Sequence, residues 1–418
     1  MVWDRRVQLV SSGAGIVAML AVGAWYMAHL APPSKTFSLS PTTLVHPILD
    51  QPLLGFDGQP LVTQRRIPAL VVVPGQLPKW AQQDLKDQVT PSLMKQKQLL
   101  WDGSSSLFAK ARKWSVSGLY PVTLLAWVPV TGVSSQLIEA WGKSRGDYST
   151  GPVMPRNGVF RSTVPVHAAR LAWSTRLSQQ LLPLVKSGGS LAVIDGSGRI
   201  RTLLASPNHR GIAWEPRPVG LGLVPPLTAE ALGSQGILLK IKGTGDLLGQ
   251  LAGAWGSRHI SQGLKRLGLG SKTTLIGQPV KNPPLPRPST SVMSQGRALW
   301  ATPLEIGRAY LPFIRQGLLP QLTASAVPSP LRVHGVPLVS AAVDLNQVAS
   351  VLPMVMVDGV KFFVWRPDGN YAVAFTQDDG GVVLVTAGPA TQSIVDLVHV
   401  LAGWMHQSPV AKKQGNAR

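Results

Sequence analysis

The chain contains no cysteine and has few acidic residues for its size. The absence of cysteine excludes a disulfide scaffold, a thiolate zinc site and a cysteine nucleophile. It leaves the redox compartment open, because a chain without thiols is compatible with either side of a membrane. Charged residues make up only 14% of the 418 residues, and 40 Lys and Arg stand against 19 Asp and Glu, which gives a formal net charge of +21. The positive charge therefore arises from a shortage of acids.

Dense basic runs and metal-binding clusters are also missing. The basic residues are scattered among Pro, Gly and Leu, whereas nucleic-acid-binding proteins more often carry a concentrated basic stripe. We therefore expect no nucleic-acid partner. The 8 His are dispersed and form no His-x-x-x-His pair, so the sequence predicts no metal site. No glycine-rich segment has the strand-to-helix context of a phosphate loop, and we expect no cofactor.

One long uncharged segment lies near the amino terminus. Residues Val7 to Ala31 include no Asp, Glu, Lys or Arg, and this length exceeds the roughly 20 residues that a helix needs to cross a bilayer. Arg5 and Arg6 precede the segment and only Lys35 follows closely, so the positive-inside rule places the amino end in the cytoplasm. A cleaved signal peptide is the alternative, but its apolar region is usually about 7–15 residues long. We expect a single-pass protein of the cell membrane with its bulk outside the cytoplasm.

The hydrophobic content of 44% is sufficient for two or three domains with their own cores. We expect a cytoplasmic stub and transmembrane anchor over residues 1–34, a mixed α+β module over 35–155, a larger α+β domain over 156–406, and a basic disordered tail over 407–418. Periodicity and turn residues predict the following elements. They are strands at 69–73 and 124–128 with a helical stretch between 77 and 113, a helix at 168–186, a hairpin of 190–194 with 199–204, helices at 249–267 and 303–317, strands at 361–365, 371–375 and 382–386, and a helix at 392–406.

Several motifs in this larger domain occur in a characteristic order. They are Arg161–Pro165, Asp195–Pro207, Arg266–Gly270, Met293–Gly296, Ala301–Tyr310 with Gly317 and Pro320, and Phe363–Pro367. In this order they resemble the motifs of the penicillin-binding protein transpeptidase family, and the single anchor resembles its class B, monofunctional members. Asp57–Leu61 resembles a motif of the N-terminal module of that class. The resemblance implies a transpeptidase or serine-β-lactamase-like domain, in which helices flank an antiparallel sheet.

The catalytic motifs of that family are not present at the matching positions. The family uses a Ser-x-x-Lys motif, in which the Lys amine takes the proton of the Ser hydroxyl. Pro226–Ala229 aligns with the Pro-Leu-Thr-Ala that follows this motif, so Gly222 stands at the nucleophile and Pro225 at the base. Neither residue can perform these roles, because Gly has no hydroxyl and Pro has no amine.

The second and third motifs are also degenerate. The Ser-x-Asn position corresponds to Gly243 and Gly245, and Thr244 supplies a hydroxyl only if the register slips by one. The Lys-Thr-Gly strand should precede Phe363, but the only lysine of that interval is Lys361, which Phe362 follows. The interval is short, which suggests that a strand pair has been trimmed. The only literal Ser-x-x-Lys, Ser92–Lys95, lies in the N-terminal module and is expected by chance.

These observations predict a membrane-anchored protein of peptidoglycan synthesis without catalytic residues. As a binding or scaffold protein it would contact peptidoglycan or its precursors, cell-wall synthesis proteins, and anionic membrane or wall polymers. One alternative is a divergent active D,D-transpeptidase with an acyl-enzyme on Ser92, Ser206 or Ser234. Another is a protein that shares only the fold and binds anionic polymers.

Overall fold

A computed structural model gives the fold of the chain. It describes residues 42–44, 48–49, 52–86, 95, 98–101, 116–131, 133, 148–149, 152–156, 159–162, 169–185, 189–206, 216–219, 221–237, 247–269, 274–275, 278–279, 299–324, 336–338, 342–367, 370–377 and 380–407. The expected anchor, residues 408–418 of the expected tail, and the positions of Gly243, Gly245 and Ser92 lie outside these residues, whereas Gln407 belongs to the last helix. No helix within the described residues is long and apolar enough to cross a membrane.

The elements are numbered in chain order. The strands are β1 (Thr42–Leu44), β2 (Ile48–Leu49), β3 (Leu53–Leu54), β4 (Val62–Val72), β5 (Leu99–Trp101), β6 (Leu119–Pro129), β7 (Tyr148–Ser149), β8 (Pro152–Arg156), β9 (Val159–Ser162), β10 (Ala169–Arg170), β11 (Ser190–Asp195), β12 (Ile200–Ala205), β13 (Arg217–Pro218), β14 (Thr274–Leu275), β15 (Gln278–Pro279), β16 (Trp300–Ala301), β17 (Leu318–Leu319), β18 (Val336–Pro337), β19 (Met354–Val357), β20 (Val360–Trp365), β21 (Tyr371–Phe375) and β22 (Val382–Ala387). The helices are α1 (Lys79–Lys86), α2 (Thr175–Leu181), α3 (Val224–Gln235), α4 (Leu247–Trp255), α5 (Ser257–Arg266), α6 (Pro303–Ile314), α7 (Ala342–Ser350) and α8 (Ile394–Gln407).

The chain divides into two compact units, and the first draws on residues 1–48, 66–125 and 149–164. Its main feature is a six-stranded sheet that closes on itself in the order β1-β5-β4-β6-β9-β8. A small core of buried side chains, including Leu70, Leu99 and Trp101, stabilises it by removing apolar surface from water. The expected strands at 69–73 and 124–128 are confirmed as parts of the longer strands β4 and β6.

The second unit draws on residues 49–65, 126–148 and 165–418, and it contains a six-stranded antiparallel sheet. The strand order is β12-β11-β22-β21-β20-β19. Helix α6 packs against β11 and β22, while α8 packs against β19, β21 and helix α2. The central strands β11, β21 and β22 are buried along their length, as expected for strands covered on both faces. The mixed α+β class and the antiparallel sheet are therefore confirmed.

Two expected helices have different limits. The helix predicted at 168–186 starts only at Thr175, because Ser174 caps it by accepting a hydrogen bond from the N–H of Leu177. The helix predicted at 249–267 is two helices, α4 and α5, separated at Gly256. Gly256 has a φ of 89°, a left-handed conformation that breaks a regular helix and favours glycine.

The carboxyl-terminal strands agree with the sequence analysis except at one point. The predicted strands at 361–365, 371–375 and 382–386 are β20, β21 and β22, and the closing helix is α8. Strand β19 was not predicted, and it forms a hairpin with β20 through Asp358 and Gly359. The interval that was expected to be trimmed holds this hairpin, whose two turn residues adopt φ values of 48° and 78°.

Candidate functional site

The turn before helix α3 contains the two positions that the resemblance aligns with nucleophile and base. Gly222 lies in this turn, and its N–H donates to the carbonyl oxygen of Val219 over 3.0 Å. Helix α3 begins at Val224, so Pro225 falls in its first turn. The first N–H groups of a helix have no partner within the helix, so a proline here costs no hydrogen bond. Both positions are buried, and neither offers a nucleophile or a base.

Three aromatic side chains surround this turn, and we call Tyr310, Trp365 and Tyr371 the aromatic cluster. The Tyr310 hydroxyl donates to the carbonyl oxygen of Gly222 over 2.7 Å. The indole N–H of Trp365 donates to the carbonyl oxygen of Leu221 over 2.9 Å. These bonds come from helix α6 and strand β20, so the turn is held by elements far away in the chain. The aromatic cluster therefore occupies the surroundings of the position aligned with the nucleophile.

The aromatic cluster also limits the space at Gly222. A Cβ atom on Gly222 would lie 3.1 Å from the carbonyl oxygen of Val219 and 3.3 Å from Cβ of Tyr371. Ordinary contacts of a Cβ atom are 3.4 Å or longer, so even alanine would require its neighbours to move. A serine at this position would therefore require Val219 or Tyr371 to shift by a few tenths of an ångström.

The two tyrosines of the cluster are neutral hydrogen-bond donors. Burial raises the pKa of both Tyr310 and Tyr371 well above the ordinary value of a phenol. The Tyr371 hydroxyl donates to the carbonyl oxygen of Ala301 over 2.5 Å. A phenol that is buried, protonated and already bonded to a carbonyl is not available as a nucleophile. The tyrosines therefore do not replace the missing serine.

Strand β20 carries Lys361, the residue closest to the expected Lys-Thr-Gly position. Its ammonium lies 4.7 Å from the ring centroid of Phe363, and the following residue, Phe362, is buried. Lys361 pairs with Met356, because β19 pairs with the Val360–Phe363 part of β20. The resemblance implies that a substrate would bind along such a strand edge. In this chain β19 occupies that edge of β20.

The serines considered as alternative nucleophiles have other environments. Ser206 follows β12, is buried, and donates its N–H to the carbonyl oxygen of Gly189 over 3.0 Å. Ser234 lies on α3, and its hydroxyl accepts a hydrogen bond from the indole of Trp255 over 3.1 Å. Within the described residues, no hydrogen bond joins either hydroxyl to a lysine. The structure brings neither serine to a base.

Residues of two motifs that resemble the family, Ala301–Tyr310 and Arg266–Gly270, meet at helix α6, whereas Met293–Gly296 lies outside the described residues. Thr302 and Glu305 form a reciprocal capping box, with bonds of 3.2 and 2.8 Å between their side chains and backbone N–H groups. Arg308 donates from Nε to the carbonyl oxygen of Pro320 over 3.1 Å, and burial lowers the pKa of its guanidinium. Gly268 adopts a φ of 83°, a conformation that favours glycine, and a Cβ atom there would lie 2.6 Å from Nη1 at the end of the Arg308 side chain. These residues position α6 and contain no reactive group.

A buried ion pair holds the hairpin of β11 and β12. Arg201 is 1% exposed and donates from Nε and Nη2 to the Asp195 carboxylate over 2.9 and 2.6 Å. Burial lowers the pKa of the Arg201 guanidinium, and the Asp195 charge acts in the opposite direction. The other carboxylate oxygen accepts from the N–H groups of Ser197 and Arg199. Asp195 therefore shapes the hairpin turn and neutralises the buried guanidinium.

Asp57 also has a structural partner. It accepts hydrogen bonds over 3.1 Å from the hydroxyl of Ser174 and from the N–H of Arg176, at the start of helix α2. The indole of Trp404 in α8 donates to the same Ser174 hydroxyl over 3.1 Å. A carboxylate at a helix N-terminus is favourable because unpaired N–H groups point towards it. The segment Asp57–Leu61 thus contributes the cap of α2.

No group of three or more His, Asp or Glu within the described residues could hold a metal ion. No sequence pattern indicates that the aromatic cluster forms a unit.

Tyr310 belongs to the Ala301–Tyr310 motif, but Trp365 and Tyr371 lie on strands, and only the folded chain brings them to the Gly222 turn.

Comparison with known proteins gives a likeness of structure alone. No protein-family model matches the chain, and no curated protein matches its sequence. Among solved structures, the chain is similar to a chain from a study of how a peptidoglycan synthase complex coordinates polymerization and crosslinking. The sequence identity is 13%, the TM-score is 0.50, and the match covers 96% of this chain and 98% of that chain. At this identity the likeness shows the fold, and it supports a fold like that of penicillin-binding proteins.

Proposed function

We propose that this chain is a protein of peptidoglycan synthesis that binds or scaffolds other components and does not catalyse cross-linking. The fold is supported by the likeness to a chain of a peptidoglycan synthase complex along nearly its whole length. The absence of catalysis is supported by Gly222 and Pro225 at the positions aligned with nucleophile and base. Its ligands would be peptidoglycan or its precursors, and its partners other cell-wall synthesis proteins.

One observation carries the proposal. The Tyr310 hydroxyl donates to the carbonyl oxygen of Gly222, and a Cβ atom on Gly222 would lie 3.3 Å from Cβ of Tyr371. If only a serine had been lost, the cleft would still be open, and a single mutation could restore the nucleophile. Here the surroundings are also filled with buried aromatic side chains, as in a protein core. The turn therefore acts as a structural element of the domain.

An active D,D-transpeptidase remains the rival function. It would require a serine next to a lysine or another base. Ser206 and Ser234 have no such partner within the described residues, and Ser92 lies outside them. The rival therefore has no supporting contact, and we retain it as the outcome against which the proposal is tested.

We further propose that residues 7–31 anchor the chain in the cell membrane, with the amino end in the cytoplasm and the bulk outside. The proposal rests on the uncharged segment and on Arg5 and Arg6 before it. The acid-poor chain, with its formal charge of +21, would then face anionic lipid headgroups and wall polymers. The same proposal divides the chain into the anchor segment 1–34, the module 35–155, the larger domain 156–406 and the tail 407–418.

A complementation experiment tests the function. The protein is depleted in its own cells, and the incorporation of a fluorescent D-amino acid into new peptidoglycan is followed by microscopy. We expect incorporation to fall, and to be restored by wild type and by a variant with Ser92→Ala, Ser206→Ala and Ser234→Ala together. Unchanged incorporation on depletion would contradict a role in peptidoglycan synthesis. If the triple variant folds but fails to restore incorporation, the claim of a non-catalytic role is wrong.

A further inference from the structure

Strand β19 ends the six-stranded sheet, and no strand within the described residues pairs with its outer side. Its inner side pairs with β20, with Met354 opposite Phe363 and Met356 opposite Lys361. The N–H of Val364 donates to the carbonyl oxygen of Pro353 over 2.8 Å, so Pro353 and Val364 are a hydrogen-bonded pair of the ladder. In an antiparallel pair, residues that exchange backbone bonds alternate with residues that do not.

The alternation identifies the backbone groups that face outward. Counting from Pro353, the residues whose backbone groups bond to β20 are Val355 and Val357. The N–H and C=O groups of Met354 and Met356 therefore point in the opposite direction, away from β20 and towards the open edge of the sheet. Two donors and two acceptors are thus presented on one side of a regular strand. We call Met354, Met356 and these outward groups the methionine edge.

The side chains of the methionine edge are also exposed. Met354 is 53% exposed and Met356 is 58% exposed, although large apolar side chains are usually inside a protein. They lie on the same face of the sheet as Phe363 and Lys361, the residues directly opposite them. The alternate residues differ, since Val357 is buried and Val355 packs against the core. One face of β19 is therefore anchored and the other is free.

At Met354 and Met356 the edge carries neither a charged side chain nor a β-bulge. Natural sheets protect an edge with very short strands, charged side chains, Pro, β-bulges or a covering segment, and of these β19 has its short length of 4 residues and the preceding Pro353. The register of β19 with β20 has no bulge, and both outward positions carry methionine, a flexible side chain suited to varied partners. A tight turn at Asp358 and Gly359 closes the hairpin. The edge is short, so a partner segment needs side-chain contacts as well as backbone bonds.

Charge determines which partner fits. Lys361 is exposed beside Met356 on the same face, and Arg366 is exposed beyond the end of β20. A second copy of the chain would bring a further formal charge of +21 towards these cations, which disfavours self-association. An acidic segment would instead be attracted by the positive charges of Lys361 and Arg366.

We propose that the methionine edge binds, by β-strand addition, an extended segment of a partner protein in which acidic and apolar residues alternate. The partner's backbone pairs with Met354 and Met356, its apolar side chains cover the methionines, and its acids face Lys361. The proposal depends on the geometry of β19 and not on the catalytic status of the Gly222 turn.

The test uses the full chain in detergent and a short fluorescein-labelled peptide of alternating valine and glutamate. Fluorescence anisotropy should show binding that weakens as salt rises, because the charges are exposed. A valine–lysine peptide of the same length should bind about tenfold or more weakly, since like charges then meet at Lys361. The valine–glutamate peptide with every amide N-methylated should lose binding, because it cannot donate backbone hydrogen bonds.

Matched variants locate the binding. Met356→Pro removes one outward N–H, and an edge strand tolerates proline where the N–H faces solvent. It should reduce affinity about tenfold, equivalent to about 1.4 kcal/mol, whereas Met356→Leu keeps the N–H and should bind like wild type. Lys361→Glu should reverse the preference in favour of the valine–lysine peptide. Unfolding curves of each variant establish that β19 remains folded.

Several results would overturn the proposal. These are an absence of binding, equal binding of both peptides, binding of the N-methylated peptide, or a folded Met356→Pro variant that binds like wild type. If sedimentation instead shows a dimer that Met356→Pro abolishes, the occupant is a second copy and the acidic partner is wrong. Labelling by fluorescent penicillin is independent of all these outcomes, so a failure here is separable from a failure of the proposed function.

Discussion

Substitution of Gly222 tests whether the turn before α3 is closed, that is, whether its neighbours leave no space for a side chain at this position. A serine at this position would place its Cβ 3.1 Å from the carbonyl oxygen of Val219 and 3.3 Å from Cβ of Tyr371. Each contact is a few tenths of an ångström too short, and both neighbours are buried. Overpacking of a well-packed core typically costs about 1–3 kcal/mol. We therefore expect Gly222→Ser to lower the free energy of unfolding by about 1–3 kcal/mol.

The assay is urea unfolding, and Gly253→Ser on α4 is the matched control. Gly253 is exposed, and a Cβ atom there would meet nothing within 4 Å. Serine is a better helix former than glycine, so the control should be neutral or slightly stabilising. The double variant Gly222→Ser with Pro225→Lys restores a literal Ser-x-x-Lys, yet we expect no labelling by penicillin, because Tyr371 occupies the adjacent space. An undiminished stability of Gly222→Ser, or a labelled double variant, would refute the closed turn.

Three further predictions concern the groups that hold the domain. Arg201→Met should lower the free energy of unfolding by about 3–5 kcal/mol, because it leaves the Asp195 carboxylate without its buried partner; a urea-unfolding loss under 1 kcal/mol would contradict this. Thr302→Ala should cost about 1 kcal/mol through loss of the α6 cap, and Thr302→Ser should retain most of it. Burial raises the pKa of Tyr310 and Tyr371 above the unfolded value of about 10, so stability is full below that pH and falls as pH rises above it. The double variant Tyr310→Phe with Tyr371→Phe should show a smaller alkaline loss of stability than wild type, and an identical pH profile would refute the assignment.

Local patterns predicted much of the second unit. The hairpin of β11 and β12 follows from two apolar runs around the Asp195–Gly198 turn, and α6 follows from Thr302 and Pro303 at its start. These signals lie within a few residues of the element they specify. Fold class and strand positions were therefore accessible from the sequence.

Other features depend on distant residues and were not accessible. Ser174, the cap of helix α2, donates to the carboxylate of Asp57, which lies 117 residues earlier in the chain, and no local pattern indicates this contact. Strand β19 has only 4 residues, too few for a clear alternation against Pro353. The family resemblance aligned Gly222 with the nucleophile position, but it could not show that Tyr310, Trp365 and Tyr371, from α6, β20 and β21, lie around that turn.

Labelling with fluorescent penicillin, followed by denaturing electrophoresis, tests the central claim most directly. A serine acyl-enzyme would retain the label covalently through denaturation. We expect no labelled band at 44.6 kDa from the purified full chain, while an active transpeptidase in the same gel is labelled. A labelled band that disappears when one serine is changed to alanine would contradict the account and would identify the nucleophile.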